Sequence, residues 1–337
     1  MKKLFSLAAW KRLLHRMLHS CGITQSAPQW VAPFPGADLL RAEDITKLNA
    51  HERLRAARTI AADVEFILPT RSLEDILPGA DLAEVRMLPR IIRSHLWAMP
   101  EHELLTLGAI TRMVNPNRVV EFGTFQGGST LVIAANMDGG GRVVTVDLDP
   151  SQRKTHEHGM GTGLLEFDLG CLFRGTRYER MIEQRYSNTL HVDDGDLVGT
   201  ADLVFVDADH TYPFAKRDTA KALTFVRPGG WLLWHDYTWA PENSECAGVT
   251  KAVNEFFQQN GNCFHIAKTR FAIHRVAAAV PGRPDPVSSR PWINCRSDCT
   301  RQSRVRSTRK NRRFFKWKKV MDDFFHGLLA PPGNLQR

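Results

Sequence analysis

Residues 118–130 read RVVEFGTFQGGST, and residues 142–149 follow with RVVTVDLD. Short apolar runs of this kind predict buried strands, and residues 128–137, after the glycines, have the length and composition of a helix. A strand that leads through glycines into a helix places backbone N–H groups at the carboxyl end of the strand. Open α/β sheets bind their ligands at that edge. The stretch therefore predicts a nucleotide-type cofactor site.

The residues around this stretch continue the alternation of strands and helices. We predict seven strands, at 118–122, 142–146, 189–192, 202–206, 231–234, 263–266 and 271–274. The predicted helices are 39–66, 101–114, 128–137, 178–185, 212–226 and 249–258. This alternation is typical of a doubly wound, mostly parallel α/β sheet covered on both faces. The two adjacent strands near residue 270 indicate an antiparallel edge.

Composition and charge divide the chain into four parts. We predict a basic N-terminal arm (1–36), a helical N-terminal extension (37–96), a main domain (97–278) and a basic, largely disordered C-terminal tail (279–337). The net charge is +9, but residues 301–319 hold ten Lys or Arg and no acid, so the rest of the chain carries 9 − 10 = −1. The basic character therefore belongs to the tail and does not identify a partner of the main domain.

Apolar runs and cysteines indicate the compartment. No apolar run approaches the roughly 18 residues that span a bilayer, so we expect no transmembrane segment. Six scattered cysteines complete no metal-binding set by their spacing. Reduced thiols and a cytoplasmic protein are the expectation.

Four residues of the opening stretch indicate which cofactor binds there: Glu121, Gly123, Gly127 and Asp147. We expect the glycines because a Cβ would hold the cofactor away from the backbone. Asp147 ends the second strand, where a carboxylate can accept hydrogen bonds from both ribose hydroxyls. NAD would need G-x-G-x-x-G around its pyrophosphate, whereas this stretch has G-x-x-x-G-G. Glu121 is unsuited to a pyrophosphate but suits the ammonium of a methionine moiety, so the pattern favours S-adenosylmethionine over NAD.

Residues 119–130 and 143–149 resemble the first two motifs of class I S-adenosylmethionine-dependent methyltransferases. The resemblance continues through 202–212, DLVFVDADHTY, and 226–237, VRPGGWLLWHDY. The combination is similar to the branch of O-methyltransferases that act on sugars, macrolides and other natural products. It covers about residues 97–275 and implies a class I methyltransferase fold.

The resemblance also implies roles for individual residues. Gly123 and Gly127 would line the cofactor pocket, Glu121 would lie near its amino-acid end, and Asp147 would bind the ribose. Asp194 or Asp196, before the predicted strand at 202–206, would lie near the adenine.

A divalent metal ion is implied for some relatives. There, a carboxylate matching Asp207 and an acidic pair after the next strand hold magnesium. In this chain the pair is His235-Asp236, which puts an all-oxygen site in doubt. Magnesium on Asp207 and Asp236, a softer ion that also uses His235, and no metal at all remain open.

His210, three residues after Asp207, is the candidate catalytic base. An imidazole titrates near neutral pH and could accept a proton from a substrate hydroxyl. Alternatively, His210 or Asp209 caps the helix that starts near Tyr212.

The sequence leaves several functions to be compared. The leading one is methylation of an oxygen on a small molecule or sugar, with no prediction of the acceptor or of the oligomeric state. The basic tail, with Phe314, Phe315 and Trp317 among its cations, allows methylation of RNA or protein instead. A non-catalytic binding module and an NAD-dependent oxidoreductase are further alternatives.

Overall fold

The computed structural model describes residues 34–92, 98–150, 168–189, 191–192, 195–238 and 246–278. The predicted C-terminal tail and nearly all of the N-terminal arm lie outside these residues. Among the described helices, none is long and apolar enough to cross a membrane.

The centre of the described structure is a mixed sheet of eight strands. Its order is β1-β7-β8-β6-β5-β2-β3-β4. All neighbouring pairs are parallel except the two that β8 makes, with β6 and with β7. The strands are β1 (Thr70–Arg71), β2 (Arg118–Phe122), β3 (Arg142–Asp147), β4 (Ile182–Tyr186), β5 (Ala201–Val206), β6 (Val226–Trp234), β7 (Cys263–Ile266) and β8 (Ala272–Arg275).

Helices cover both faces of this sheet. The helices are α1 (Ala42–Ile45), α2 (Ala50–Asp63), α3 (Leu73–Ile76), α4 (Pro89–Ile92), α5 (Glu101–Val114), α6 (Gly128–Asn136), α7 (Tyr212–Phe225) and α8 (Ala247–Asn260). Short 3-10 turns occur at Ala37–Leu39, Ala80–Leu82 and Glu179–Met181. Helices α5 and α6 pack on one face, and α2, α7 and α8 pack on the other.

The pleat of the central strands divides the core into two apolar clusters. Val119 of β2 belongs to the cluster under α5 and α6, whereas its neighbour Val120 belongs to the cluster under α7 and α8. Successive side chains of a strand point to opposite faces, and both faces here are covered. That is why β2, β3 and β5 are almost continuously apolar, and the doubly wound α/β fold is confirmed.

Two predicted elements are wrong at the edge formed by β4. Residues 178–185 do not form a helix but lead through a 3-10 turn into strand β4. Residues 189, 191 and 192 belong to no strand. Among the described residues, strand β4, with sequence IEQRY, pairs only with β3, and it is only partly buried, so it lacks the apolar signature of the central strands.

The N-terminal extension also differs from its prediction. The helix expected over 39–66 is broken into α1 and α2, because Asn49 caps α2 by accepting a hydrogen bond from the Glu52 N–H. The sheet gains an eighth strand, β1, whose two residues pair with β7.

Candidate functional site

The carboxyl ends of four parallel strands meet at one edge of the sheet. Phe122, the last residue of β2, is in register with Val146 of β3 and Val206 of β5, and Val206 is in register with Trp234 of β6. The residues that follow or end these strands include most of the predicted site residues: Gly123, Asp147, Asp207, His235 and Asp236. The topology therefore brings the predicted cofactor residues and the predicted catalytic residues to the same edge.

The two glycines are required by the protein itself. Gly123 has φ +96°, and a Cβ there would lie 2.0 Å from the backbone oxygen of Asp207. Gly127 has φ +82° and starts α6, and a Cβ there would lie 2.5 Å from the ring of Phe173. The expected reason for these glycines, close approach of a cofactor, is therefore not the first constraint. Each allows protein segments to pack closely, and their contact with a cofactor stays a prediction.

Asp147 is fixed beside the glycine loop. Its Oδ2 accepts hydrogen bonds from the backbone N–H groups of Thr124, at 3.0 Å, and Phe125, at 2.9 Å. Its Oδ1 accepts one from the N–H of Leu148 at 2.7 Å. These bonds tie the end of β3 to the loop after β2 and orient the carboxylate that we predict to bind ribose.

Glu121 is fully buried, and its carboxylate accepts hydrogen bonds from two hydroxyl groups of α6. Ser129 donates to Oε1 at 2.6 Å, and Thr130 donates to Oε2. Burial raises the pKa of Glu121 to about 7, although both hydroxyl hydrogen bonds lower it. An acid placed here disfavours a pyrophosphate at the start of α6. Its predicted contact with the amino-acid end of a cofactor is untested.

Asp196 makes an ion pair that the sequence did not indicate. Both of its carboxylate oxygens accept from the Arg185 guanidinium, at 2.9 and 2.7 Å. Its backbone oxygen accepts from Arg118, at the opposite end of β2 from the glycine loop. A role at the adenine stays a prediction, and the other candidate, Asp194, lies outside the described residues.

The predicted catalytic and metal-binding residues form a polar cluster that is buried at Glu103, His235 and Asp236 and partly exposed at Asp207, His210 and Arg270, and we call it the carboxylate–histidine cluster. It contains the four predicted residues together with three others: Asp207, His210, His235, Asp236, Glu103, Cys246 and Arg270. Asp236 is its centre and adopts a left-handed backbone conformation with φ 60°. Such a conformation is uncommon for a residue other than glycine and is often found at functional sites.

Asp236 orients His210. The Nε2 atom of His210 lies 2.9 Å from Asp236 Oδ2 and 3.9 Å from Asp207 Oδ1. The Nδ1 atom lies 4.0 Å from Cys246 Sγ, at the start of α8. Burial is the largest single effect and lowers the pKa of His210, but Asp236, Cys246 and Asp207 together raise it to well above the ordinary value. Neither His210 nor Asp209 caps α7: the N-cap residue is Thr211, with no side-chain capping hydrogen bond, and Asp209 accepts from the Thr211 N–H and hydroxyl just before the helix.

His235 lies between two carboxylates. Its Nε2 is 2.9 Å from Glu103 Oε2, and its Nδ1 is 3.1 Å from Asp207 Oδ1 and 3.4 Å from Asp236 Oδ2. Burial alone lowers the pKa of His235, but the charges of Asp236 and Asp207 raise it well above the ordinary value. Each ring nitrogen therefore faces a carboxylate, an arrangement that favours the protonated ring.

Glu103 and Arg270 complete the cluster from distant parts of the chain. The Arg270 guanidinium donates from Nη1 to Asp236 Oδ1 at 2.6 Å and from Nη2 to Glu103 Oε2 at 3.0 Å. The backbone N–H of Arg270 also donates to Glu103 Oε1 at 2.7 Å. Burial raises the pKa of Glu103, but the hydrogen bonds and charges of His235 and Arg270 outweigh burial and bring it to about 2.

The predicted metal-binding set is brought together but does not fit a metal ion. One donor atom from each of Asp207, His235 and Asp236 lies within 4.8 Å of the others. A metal would need a neutral imidazole nitrogen with a free lone pair, whereas both nitrogens of His235 face carboxylates. Both oxygens of Asp236 already accept from nitrogen donors.

Sequence reasoning missed Glu103, Arg270 and Cys246. Glu103 had one available signal, an acid among the apolar residues of a predicted helix. Arg270 and Cys246 stand in stretches without a motif, and their proximity to the cluster depends on tertiary packing.

Comparisons with known proteins agree with the sequence motifs. Residues 120–237, about a third of the chain, match the model of a family described as a methyltransferase domain. The segment that joins the glycine loop to Asp236 thus resembles class I S-adenosylmethionine-dependent methyltransferases, as its motifs predicted. The uncharacterized protein R132 of Acanthamoeba polyphaga mimivirus is 24% identical over 140 residues, which span 40% of this chain and 57% of that protein.

Solved structures of similar fold include two O-methyltransferases. TomG from Streptomyces achromogenes, involved in tomaymycin synthesis and crystallised with S-adenosylmethionine, is 16% identical with a TM-score of 0.43. The alignment covers 62% of this chain and 100% of TomG. An O-methyltransferase from Bacillus cereus, in complex with S-adenosylhomocysteine, is 15% identical with a TM-score of 0.39 over 71% of this chain and 99% of that one.

Proposed function

We propose that this protein transfers a methyl group from S-adenosylmethionine to an oxygen of a small molecule or sugar. The observation that carries the proposal is the shared edge of the sheet. There the glycine loop with Glu121 and Asp147 adjoins the carboxylate–histidine cluster, which holds an oriented imidazole. The match of residues 120–237 to the methyltransferase domain family supports the same reaction class.

The donor chemistry of the loop fits the cofactor. Asp147 offers a fixed carboxylate to a ribose diol, and Glu121 places a buried acid where a pyrophosphate would otherwise bind. S-adenosylmethionine, when bound, supplies an electrophilic methyl group on a positively charged sulfur. Much of the catalysis in such a displacement comes from positioning the two reactants.

His210 prepares the acceptor. His210 acts as a base in its neutral form, which its raised pKa makes prevalent at alkaline pH. In that form Asp236 accepts the hydrogen of Nε2, which leaves Nδ1 as the nitrogen that receives the proton of the acceptor hydroxyl. Asp236 then stabilises the imidazolium that forms. Asp207, 3.9 Å from Nε2 of His210, adds a second negative charge to this environment.

Binding measurements test the proposal. Calorimetry should detect S-adenosylmethionine and S-adenosylhomocysteine but not NAD, and the Asp147→Ala variant should lose detectable binding. The His210→Gln variant should keep cofactor affinity within about twofold and lose roughly 10²–10⁴ of the rate of methyl transfer to hydroxyl acceptors. Binding of NAD instead of S-adenosylmethionine would overturn the proposal, and unchanged affinity in Asp147→Ala would refute the ribose contact.

A further inference from the structure

The carboxylate–histidine cluster contains a permanent positive charge of its own. Three acids meet there, Glu103, Asp207 and Asp236, and the guanidinium of Arg270 bonds directly to two of them. A guanidinium stays protonated at any pH at which proteins fold, and its planar fork matches two carboxylates at once. The charge of Arg270 therefore does not depend on the state of the histidines.

We propose that Arg270, held by Glu103, takes the place of a divalent metal ion in this cluster and makes methyl transfer by this protein metal-independent. The inference rests on the proposed function for its reaction. Its structural part, an acidic cluster already neutralised by an arginine, can be tested without cofactor or acceptor.

Glu103 fixes Arg270 in this role. It lies on α5, is almost fully buried, and binds Arg270 through both the guanidinium and the backbone N–H. The backbone bond sets the position of residue 270, just before β8, so the guanidinium is directed at Asp236. The same carboxylate receives Nε2 of His235, so Glu103 anchors both cations. Glu103 is therefore a positioning residue, since it reaches His210 only indirectly, through Arg270 or His235 and then Asp236.

As a consequence, the two carboxylate oxygens of Asp236 have different partners. Oδ1 accepts from Arg270, and Oδ2 faces Nε2 of His210. A metal ion bound to Asp236 would have to displace one of these nitrogen donors. Arg270 holds Asp236 in position for His210 through the hydrogen bond to Oδ1.

Metal binding by the apo protein is the direct test. Titration of the EDTA-treated wild-type protein with Mg²⁺, Mn²⁺ or Zn²⁺ should give no binding at this cluster below millimolar concentration. The Arg270→Gln variant removes the resident cation and should gain binding of at least one of these ions by about tenfold or more. Arg227→Gln is the matched control, because it breaks an Arg–Asp pair with Asp202 at the opposite edge of the sheet and should gain nothing.

Two results would overturn the proposal. One is wild-type binding of a divalent ion that Asp236→Asn abolishes. The other is failure of folded Arg270→Gln to gain any binding, which would show that Arg270 does not exclude the metal.

A second measurement covers the case in which Arg270→Gln does not fold. The loss of thermal stability in Asp236→Asn should be the same in EDTA and in millimolar Mg²⁺, since Asp236 is bonded to arginine and not to metal. A loss that appears only with metal present contradicts the proposal. Failure of S-adenosylmethionine to bind would refute the proposed function but would leave these metal measurements valid.

The positioning role of Glu103 has its own readout. Glu103→Gln should lower kcat by about tenfold or more while changing the KM for S-adenosylmethionine less than about twofold, because the cofactor residues lie on β2, α6 and β3. A fall in kcat accompanied by a rise in KM of similar size and by a lower melting temperature would indicate a merely structural role and count against positioning.

Discussion

Asp218 lies on α7, is 1% exposed, and has no hydrogen-bond partner for its carboxylate oxygens among the described residues. It stands in a charged stretch of helix, yet it faces the interior. Burial raises its pKa from 3.8 to about 7. A buried carboxylate without partners is costly to ionise, so the folded state holds its proton more tightly than the unfolded state does.

The pH dependence of stability follows from this shift. Because the pKa of Asp218 is raised on folding, its contribution is fully favourable below the unfolded value and is lost as the pH rises through about 7. Asp218→Asn removes the ionisation, and its gain in unfolding free energy over wild type should grow by roughly 1–3 kcal/mol between about pH 5 and about pH 8. Urea denaturation at both pH values measures it. Asp138→Asn, at an exposed position, should show no such trend.

The buried carboxyl group of Glu121 should make the affinity for the cofactor depend on pH. Its pKa of about 7 means that the apo protein holds it partly protonated near neutral pH. A bound ammonium group would favour the ionised form, so the affinity for S-adenosylmethionine should increase as the pH rises from about 6 to about 7.5. In Glu121→Gln this dependence should vanish and the affinity should fall by roughly tenfold. Calorimetry at several pH values checks this, with Glu183→Gln on β4 as the control, and a pH dependence that persists in Glu121→Gln would assign it to another group.

Among the elements, α8 and the segment after β5 are held in unusually close contact. Gly248, in the first turn of α8, faces the backbone of residues 210–212. A Cβ at this position would lie 2.2 Å from the Tyr212 nitrogen and 2.3 Å from the His210 oxygen. The absence of a side chain at Gly248 therefore sets the position of His210 and, through it, of the proposed base.

Gly248→Ala should move that segment and impair the reaction selectively. We expect kcat to fall by about tenfold or more, because small displacements of a catalytic group are costly, while cofactor affinity stays within about twofold. Gly140→Ala is the control, since nothing lies within 4 Å of a Cβ there. Steady-state kinetics with parallel calorimetry distinguish the outcomes, and an equal loss of binding would show that the substitution disturbs the whole sheet edge.

How well the sequence predicted a strand depended on whether its own residues show a clear pattern or whether it forms only through a partner distant in the chain. Strands β2, β3 and β5 were predicted almost to the residue, because burial on both faces makes them continuously apolar. Strand β4 was mistaken for a helix, since an edge strand with one partner carries polar residues that show no clear period of two. Strand β1 has two residues, too few for any periodicity, and it forms only because β7 is beside it.

Across the whole molecule, the site joins residues that no sequence motif connects. The motifs placed Asp207, His210, His235 and Asp236 after the neighbouring strands β5 and β6, because the carboxyl ends of parallel strands meet at one edge of the sheet. Glu103 is 167 residues from Arg270, and their contact exists only because β8 returns antiparallel beside β6. From the sequence alone a metal ion at Asp207, His235 and Asp236 remained open, and the folded chain places the guanidinium of Arg270 against Asp236.

The basic stretch of the chain is separate in sequence from the proposed site. The described residues of the proposed site all lie between 103 and 270, whereas the ten Lys and Arg residues of 301–319 lie beyond it. A protein truncated after residue 278 should therefore bind S-adenosylmethionine with unchanged affinity, and its retention on an anionic resin at low salt should fall, because polyanion binding follows the number of cations. Calorimetry and salt-gradient elution of both forms measure this. If truncation instead weakened cofactor binding by tenfold or more, residues beyond 278 would have to contribute to the site, and the RNA or protein acceptor would become the favoured alternative.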